Sequence, residues 1–121
     1  MTRRDLQAAA KAKQLPWDTG KDVETSAIIG TITPADRFEA LGAQAITLHL
    51  NGALKQDATL ADMVWSVAEL VSHLSQLYHL ASGDLIYTGT PAGVGAVQVG
   101  DEIRVSIEGL DPLLGTIEAP D

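Results

Sequence analysis

Asn51-Gly52 stands between AITLHL (Ala45–Leu50) and ALKQ (Ala53–Gln56), and this junction constrains the fold more than any other stretch of the chain. A two-residue type I′ turn needs positive φ at both central residues. Asn tolerates that geometry and Gly adopts it freely, so the pair predicts a β-hairpin. AITLHL alternates as a half-buried strand does, and Ala53–Gln56 is the returning strand.

Other elements are arranged around this hairpin. Ser66-Val-Ala-Glu69 matches a capping box, in which the serine side chain caps the first turn and the glutamate reaches back. Val67, Leu70, Val71, Leu74, Leu77 and Tyr78 then form one apolar stripe, predicting a helix to about His79. Thr2 to Gln14 is rich in Ala, Leu, Gln and Lys and predicts another helix, closed at Leu15-Pro16 because a residue before proline avoids the helical region. Gly, Pro, Asp and Thr dominate the next twenty residues, which read as loops around one short strand near Thr25–Ile29. Further strands are expected at Leu85–Tyr87, Glu102–Ile107 and Leu113–Ile117. No repeat, heptad or low-complexity tract interrupts this order, and the fold class is α+β, weighted toward β.

Charge and composition narrow the function. With 121 residues the chain is one small domain or part of a larger one. A net charge of −8 argues against nucleic acid as a partner, since phosphates call for a surplus of Lys and Arg. No stretch approaches the roughly 18 consecutive apolar residues of a membrane span. The first fourteen residues lack the apolar centre of a secretory signal. Without cysteine there is no disulfide, thiolate metal site or cysteine nucleophile, and a cytoplasmic protein is expected.

Signatures such as G-x-S-x-G, H-E-x-x-H and the P-loop are absent. His49, His73 and His79 are too scattered to pair on a metal and read as ordinary surface or satisfied histidines. The acidic residues are numerous but dispersed, with Asp101-Glu102 reading as a solvated turn end. Two places carry more chemistry. Arg4 and Lys21, with Gln7 near Arg4, could neutralise a small carboxylate, or could be an Arg4–Asp5 surface pair and a solvent-facing lysine. GDLIYTGTPAGVG (Gly83–Gly95) could be a tight connection between strands, or a loop whose threonines and close backbone serve a ligand.

RDLQ (Arg4–Gln7), LPW (Leu15–Trp17), Lys21 with Thr25, LNG…Q (Leu50–Gln56), SVAELVSHLSQ (Ser66–Gln76) and GDLIYTGTPAGVG follow one another in the order and spacing of the fumarylacetoacetate hydrolase family. GDEIRVSIEGL (Gly100–Leu110) is similar to its next strand, so the chain resembles that family over nearly its whole length. The resemblance implies a β-rich roll of layered mixed sheets with a few short helices, residues 1–121 forming a single partial domain, the C-terminal half of the catalytic domain. It implies metal-assisted enolate chemistry on 2-oxo or 2,4-dioxo carboxylic acids, by C–C hydrolysis, decarboxylation or isomerisation. Lys21 resembles the lysine that stabilises developing negative charge, Gln7 a substrate-contacting glutamine, and Arg4 with Asp5 the step that orders the site. Thr25 falls at a site-proximal hydroxyl, and Thr90, after Gly89, resembles the residue that hydrogen-bonds the substrate carboxylate.

The family holds Mg²⁺ or Mn²⁺ through an E-x-E pair and an aspartate upstream of the R-D step. Those positions fall before Met1, so no metal ligand is expected in this chain and the cation is not expected to bind it alone. Around the lysine loop, Val23, Ile28, Thr31 and Glu24 replace the family's usual Phe, Pro, Pro and Asp. The expected partners are a small 2-oxo carboxylate and either a second copy, as a homodimer, or the missing half-domain. A non-catalytic fragment or partner subunit is the alternative reading, and an unrelated β-roll binding module a third.

Overall fold

A computed structural model describes residues 1–38 and 41–119, which fall into two compact units, Met1–Gly30 and Thr31–Asp121.

The first unit contains two helices. Helix α1, Arg4–Ala12, is built from alanines with Asp5 in its first turn and Lys11 in its last, each placed favourably for the helix dipole. It is shorter at both ends than the expected Thr2–Gln14, because Lys13 and Gln14 close it with turn bonds and Gln14 turns left-handed at φ +55°. Helix α2, Asp18–Lys21, is a single turn that propensity does not predict. Its cause is close approach to α1. A Cβ added to buried Gly20 would lie 3.0 Å from the Gln7 backbone nitrogen and 3.2 Å from the Arg3 carbonyl oxygen, while Arg3 N–H donates to the Gly20 carbonyl at 2.9 Å. No strand forms near Thr25–Ile29, correcting that expectation. Thr25 itself sits at φ +56°, which ends any extended run at its first residue.

The second unit is organised on a four-stranded antiparallel sheet, in the order β2-β1-β3-β4. Strand β1, Ala45–Leu50, and strand β2, Ala53–Thr59, form the expected hairpin, with Asn51 at φ +51° and Gly52 at φ +78°. Strand β3, Glu102–Ile107, pairs on the other side of β1, and strand β4, Leu113–Thr116, pairs with β3. Register places Ile46, Leu48 and Leu50 opposite Ile107, Val105 and Ile103 on one face, whereas Thr47 and His49 oppose Ser106 and Arg104 on the other. One face is therefore apolar and the other polar, as expected for a sheet covered on one side.

Next to the turn the ladder slips. Leu50 and His49 pair with Ala53 and Leu54, but Leu48 pairs with Gln56, leaving Lys55 as the extra residue of a bulge. Helix α3, Val67–Leu77, starts at the expected capping box. Ser66 Oγ accepts from Glu69 N–H at 3.2 Å, and a Glu69 carboxylate oxygen accepts from Ser66 N–H at 2.8 Å. Leu85–Tyr87 forms no strand, a second correction: this apolar triplet joins no ladder among the described residues. Short 3-10 turns at Ala35–Arg37 and Leu60–Asp62 complete the unit. No helix among the described residues is long and apolar enough to cross a membrane.

Candidate functional site

In the first unit, α1 carries Arg4 and Gln7 one turn apart, and an Arg4 guanidinium nitrogen donates to Gln7 Oε1 at 3.4 Å. Lys21 is the last residue of α2, and its Nζ donates to Thr2 Oγ1 at 3.1 Å. Thr2 was not singled out by sequence, because a lone threonine nineteen positions away carries no local signal. Among the described residues Lys21 makes no ion pair, so its ammonium keeps two hydrogens for an external acceptor. Asp5 is bound by Arg3 rather than Arg4, through two hydrogen bonds of 3.1 and 3.3 Å. The hydrogen bond from the Arg3 guanidinium lowers the Asp5 carboxyl below its ordinary value, and the same contact raises Arg3. Both groups are open to water, so the pair contributes little to stability. Thr25 lies exposed in the turn after α2, where a β-branched residue in the left-handed region is strained by on the order of 1–3 kcal/mol.

In the second unit, Gly89 takes φ +107° and leads into Thr90, whose side chain is exposed. The turn that follows is held by Gln56, which is only 7 % exposed. Its Nε2 donates to Thr90 Oγ1 at 2.9 Å and to the Pro91 carbonyl at 2.8 Å, with the Ala92 carbonyl at 3.3 Å. Two carbonyls can only accept, which fixes which end of the amide faces the turn. Gly93 completes the contact at φ +99°: an added Cβ would overlap the Lys55 carbonyl oxygen and meet Gln56 Cγ at 3.3 Å. The turn thus lies on the bulge of β2.

Other polar groups are committed to structure. Asp101 accepts from Asn51 Nδ2 at 2.8 Å and from Gln98 N–H at 2.7 Å, and these bonds hold its carboxyl below the ordinary range. Asp62 is lowered in the same way by the backbone N–H and hydroxyl of Thr59. His49 departs from expectation: it is half-buried and its Nδ1 is enclosed with no hydrogen-bond partner. Among the described residues no group of three or more His, Cys, Asp or Glu side chains could hold a metal ion. The described side chains therefore do not make up a cation site by themselves.

Comparison with known proteins covers the chain almost completely. The family described as fumarylacetoacetate (FAA) hydrolase, C-terminal, matches residues 1–119. A fumarylpyruvate hydrolase of a Ralstonia species is 46 % identical over 117 residues, which is 97 % of this chain and 60 % of the relative. A mitochondrial oxaloacetate tautomerase of Rattus norvegicus is 38 % identical over 110 residues, 91 % of this chain and 50 % of the relative. The crystal structure of fumarylpyruvate hydrolase from Pseudomonas aeruginosa in complex with Mn²⁺ and pyruvate superposes with a TM-score of 0.94 at 41 % identity, over 99 % of this chain and 52 % of that one. The chain thus spans 50 to 60 % of the length of these relatives.

Proposed function

This chain belongs to the fumarylacetoacetate hydrolase family, and we propose that it is the C-terminal half of an enzyme domain that cleaves a carbon–carbon bond in 2,4-dioxo carboxylic acids. Relatives in the family are hydrolases, decarboxylases or tautomerases. These activities share one demand, the stabilisation of an enolate next to a carboxylate. In the cleavage reading, water adds its oxygen to the C4 carbonyl and the C3–C4 bond breaks. The bonding pair passes to the C2 carbonyl as an enolate, and a proton at C3 then yields a 2-oxo acid and a carboxylic acid.

The observation that carries this reading is Lys21: an ammonium anchored by Thr2 at 3.1 Å and without an ion-pair partner among the described residues. A fixed positive charge stabilises an oxyanion far better where its position needs no reorganisation. Thr90 supplies a hydroxyl for the substrate carboxylate, and Arg4 with Gln7 forms a hydrogen-bonded pair on α1 for substrate contact. Thr25, in its left-handed turn of the first unit, and Gly89, in the second, are each assigned a substrate-binding role. Mg²⁺ or Mn²⁺ is assigned to ligands supplied from outside the described residues.

The test is cleavage of 2,4-dioxopentanoate, followed by loss of its enol absorbance. The chain is assayed alone and mixed with the part of the Ralstonia relative that it does not match. Turnover in the mixture that falls at least about a hundredfold with Lys21→Ala, and in part returns with Lys21→Arg, is the expected result; a shift of that size is about 2.7 kcal/mol of barrier. Turnover indifferent to Lys21→Ala removes the lysine from the chemistry. No cleavage in the mixture, with oxaloacetate tautomerised instead, moves the activity to the tautomerase class.

A further inference from the structure

We propose that Gln56 is the positioning residue of the Thr90 turn: it clamps residues 90–92 onto β2 and sets the Thr90 hydroxyl as an outward donor to an acceptor-only anion, a carboxylate. The second half of this inference rests on the carboxylate role of Thr90 given above; the clamp does not.

The geometry is a matter of counting hydrogens. A primary amide nitrogen carries two. One goes to the Pro91 carbonyl at 2.8 Å and the other to Thr90 Oγ1 at 2.9 Å, with the Ala92 carbonyl at 3.3 Å sharing. Thr90 Oγ1 is therefore already an acceptor, while its own hydrogen meets no acceptor among the described residues. A hydroxyl that accepts from a buried donor is polarised toward donating in turn. Its natural ligand is a group that accepts without donating, which an ionised carboxylate does.

Gln56 reaches this place only because of the bulge. An unbroken ladder counted out from the turn pairs residue 56 with Thr47, on the polar face. The extra residue, Lys55, moves the pairing to Leu48 and turns Gln56 to the apolar face, where it is 7 % exposed. A polar side chain at such a position must be satisfied, and the turn satisfies it. Gly93, seated over the Lys55 carbonyl, allows the approach.

Two measurements on the chain test this. Gln56→Met keeps the length and removes both donated bonds; Gln56→Asn, one methylene short, serves the same comparison if the methionine variant loses the sheet. Backbone ¹⁵N order parameters of Thr90, Ala92 and Gly93 should fall from the rigid range, about 0.85, to below about 0.6. In Thr90→Val they should stay rigid, since the bonds to Pro91 and Ala92 persist. Unchanged values in the Gln56 variants overturn the clamp.

Titration with pyruvate, read from the same amide signals, tests the second half. Gln56→Met and Thr90→Val should each weaken binding about tenfold, Thr90→Ser less than about threefold, and the double variant little more than the worse single one. Losses that multiply in the double variant show that Gln56 does not act through Thr90, and overturn the positioning role. Absence of pyruvate binding by the unaltered chain overturns the carboxylate role of Thr90 and the donor assignment with it, while the order parameters still decide the clamp.

Discussion

At Gly93 two restrictions coincide: φ is +99°, and a Cβ would overlap the Lys55 carbonyl oxygen. Gly89 shares only the first, at φ +107° with open space around it. Alanine at position 89 should therefore cost the left-handed penalty, about 1–2 kcal/mol. Alanine at position 93 should cost distinctly more and detach the turn from β2. The checking measurement is the Gln56 side-chain amide signal: dispersed in Gly89→Ala, collapsed to solvent-like shifts in Gly93→Ala. Equal behaviour of the two variants would refute the contact. The turn at Gly89 and Thr90 is legible in the sequence, because Thr-Gly-Thr-Pro advertises a turn by composition. The clamp on that turn is not, since Gln56 faces it only through a bulge that no residue type announces.

Elements that formed as read share a local cause. The hairpin follows from Asn51-Gly52 and helix α3 from Ser66 and Glu69, features decided within four residues. Helix α2 was missed because its cause is the approach of Gly20 to Gln7, thirteen positions away, and the strand expected at Leu85–Tyr87 joins no ladder among the described residues. The α3 cap makes a further test. Ser66→Ala should cost the helix about 1 kcal/mol, seen as reduced ellipticity at 222 nm. The Glu69 carboxyl is lowered first by the Ser66 backbone N–H and then by the Ser66 hydroxyl. A carboxyl lowered in the folded state stabilises above its unfolded value, and that contribution disappears as pH falls through the lowered one. Helicity of α3 should hold at neutral pH and decline below about pH 4, the ordinary carboxylate range. Glu69→Gln should remove that acid limb; an identical acid decline in the variant would assign it elsewhere.

For the whole molecule the salient quantity is burial. Among the described residues the hydrophobic side chains that reach burial are Ala10 in the first unit and Ile103 in the second. Val64, by contrast, is 95 % exposed and Ile32 74 %. So few buried side chains leave the entropy of ordering a chain of 121 residues only narrowly offset. We expect the isolated chain to unfold over a broad temperature range and to bind a hydrophobic dye. Adding the part of the Ralstonia relative that it does not match should sharpen the transition and displace the dye. A single sharp transition of the chain by itself would contradict this. Strand β2 is an outer strand, and outer strands offer unpaired N–H and C=O groups to any neighbouring molecule. The turn at Thr90–Gly93 meets that strand at Lys55 and Gln56, so the same few atoms that hold the turn also stand beside part of an edge open to other chains. A turn that comes loose from Lys55 and Gln56 would leave more of that edge bare, so solubility over time should follow the firmness of this one contact.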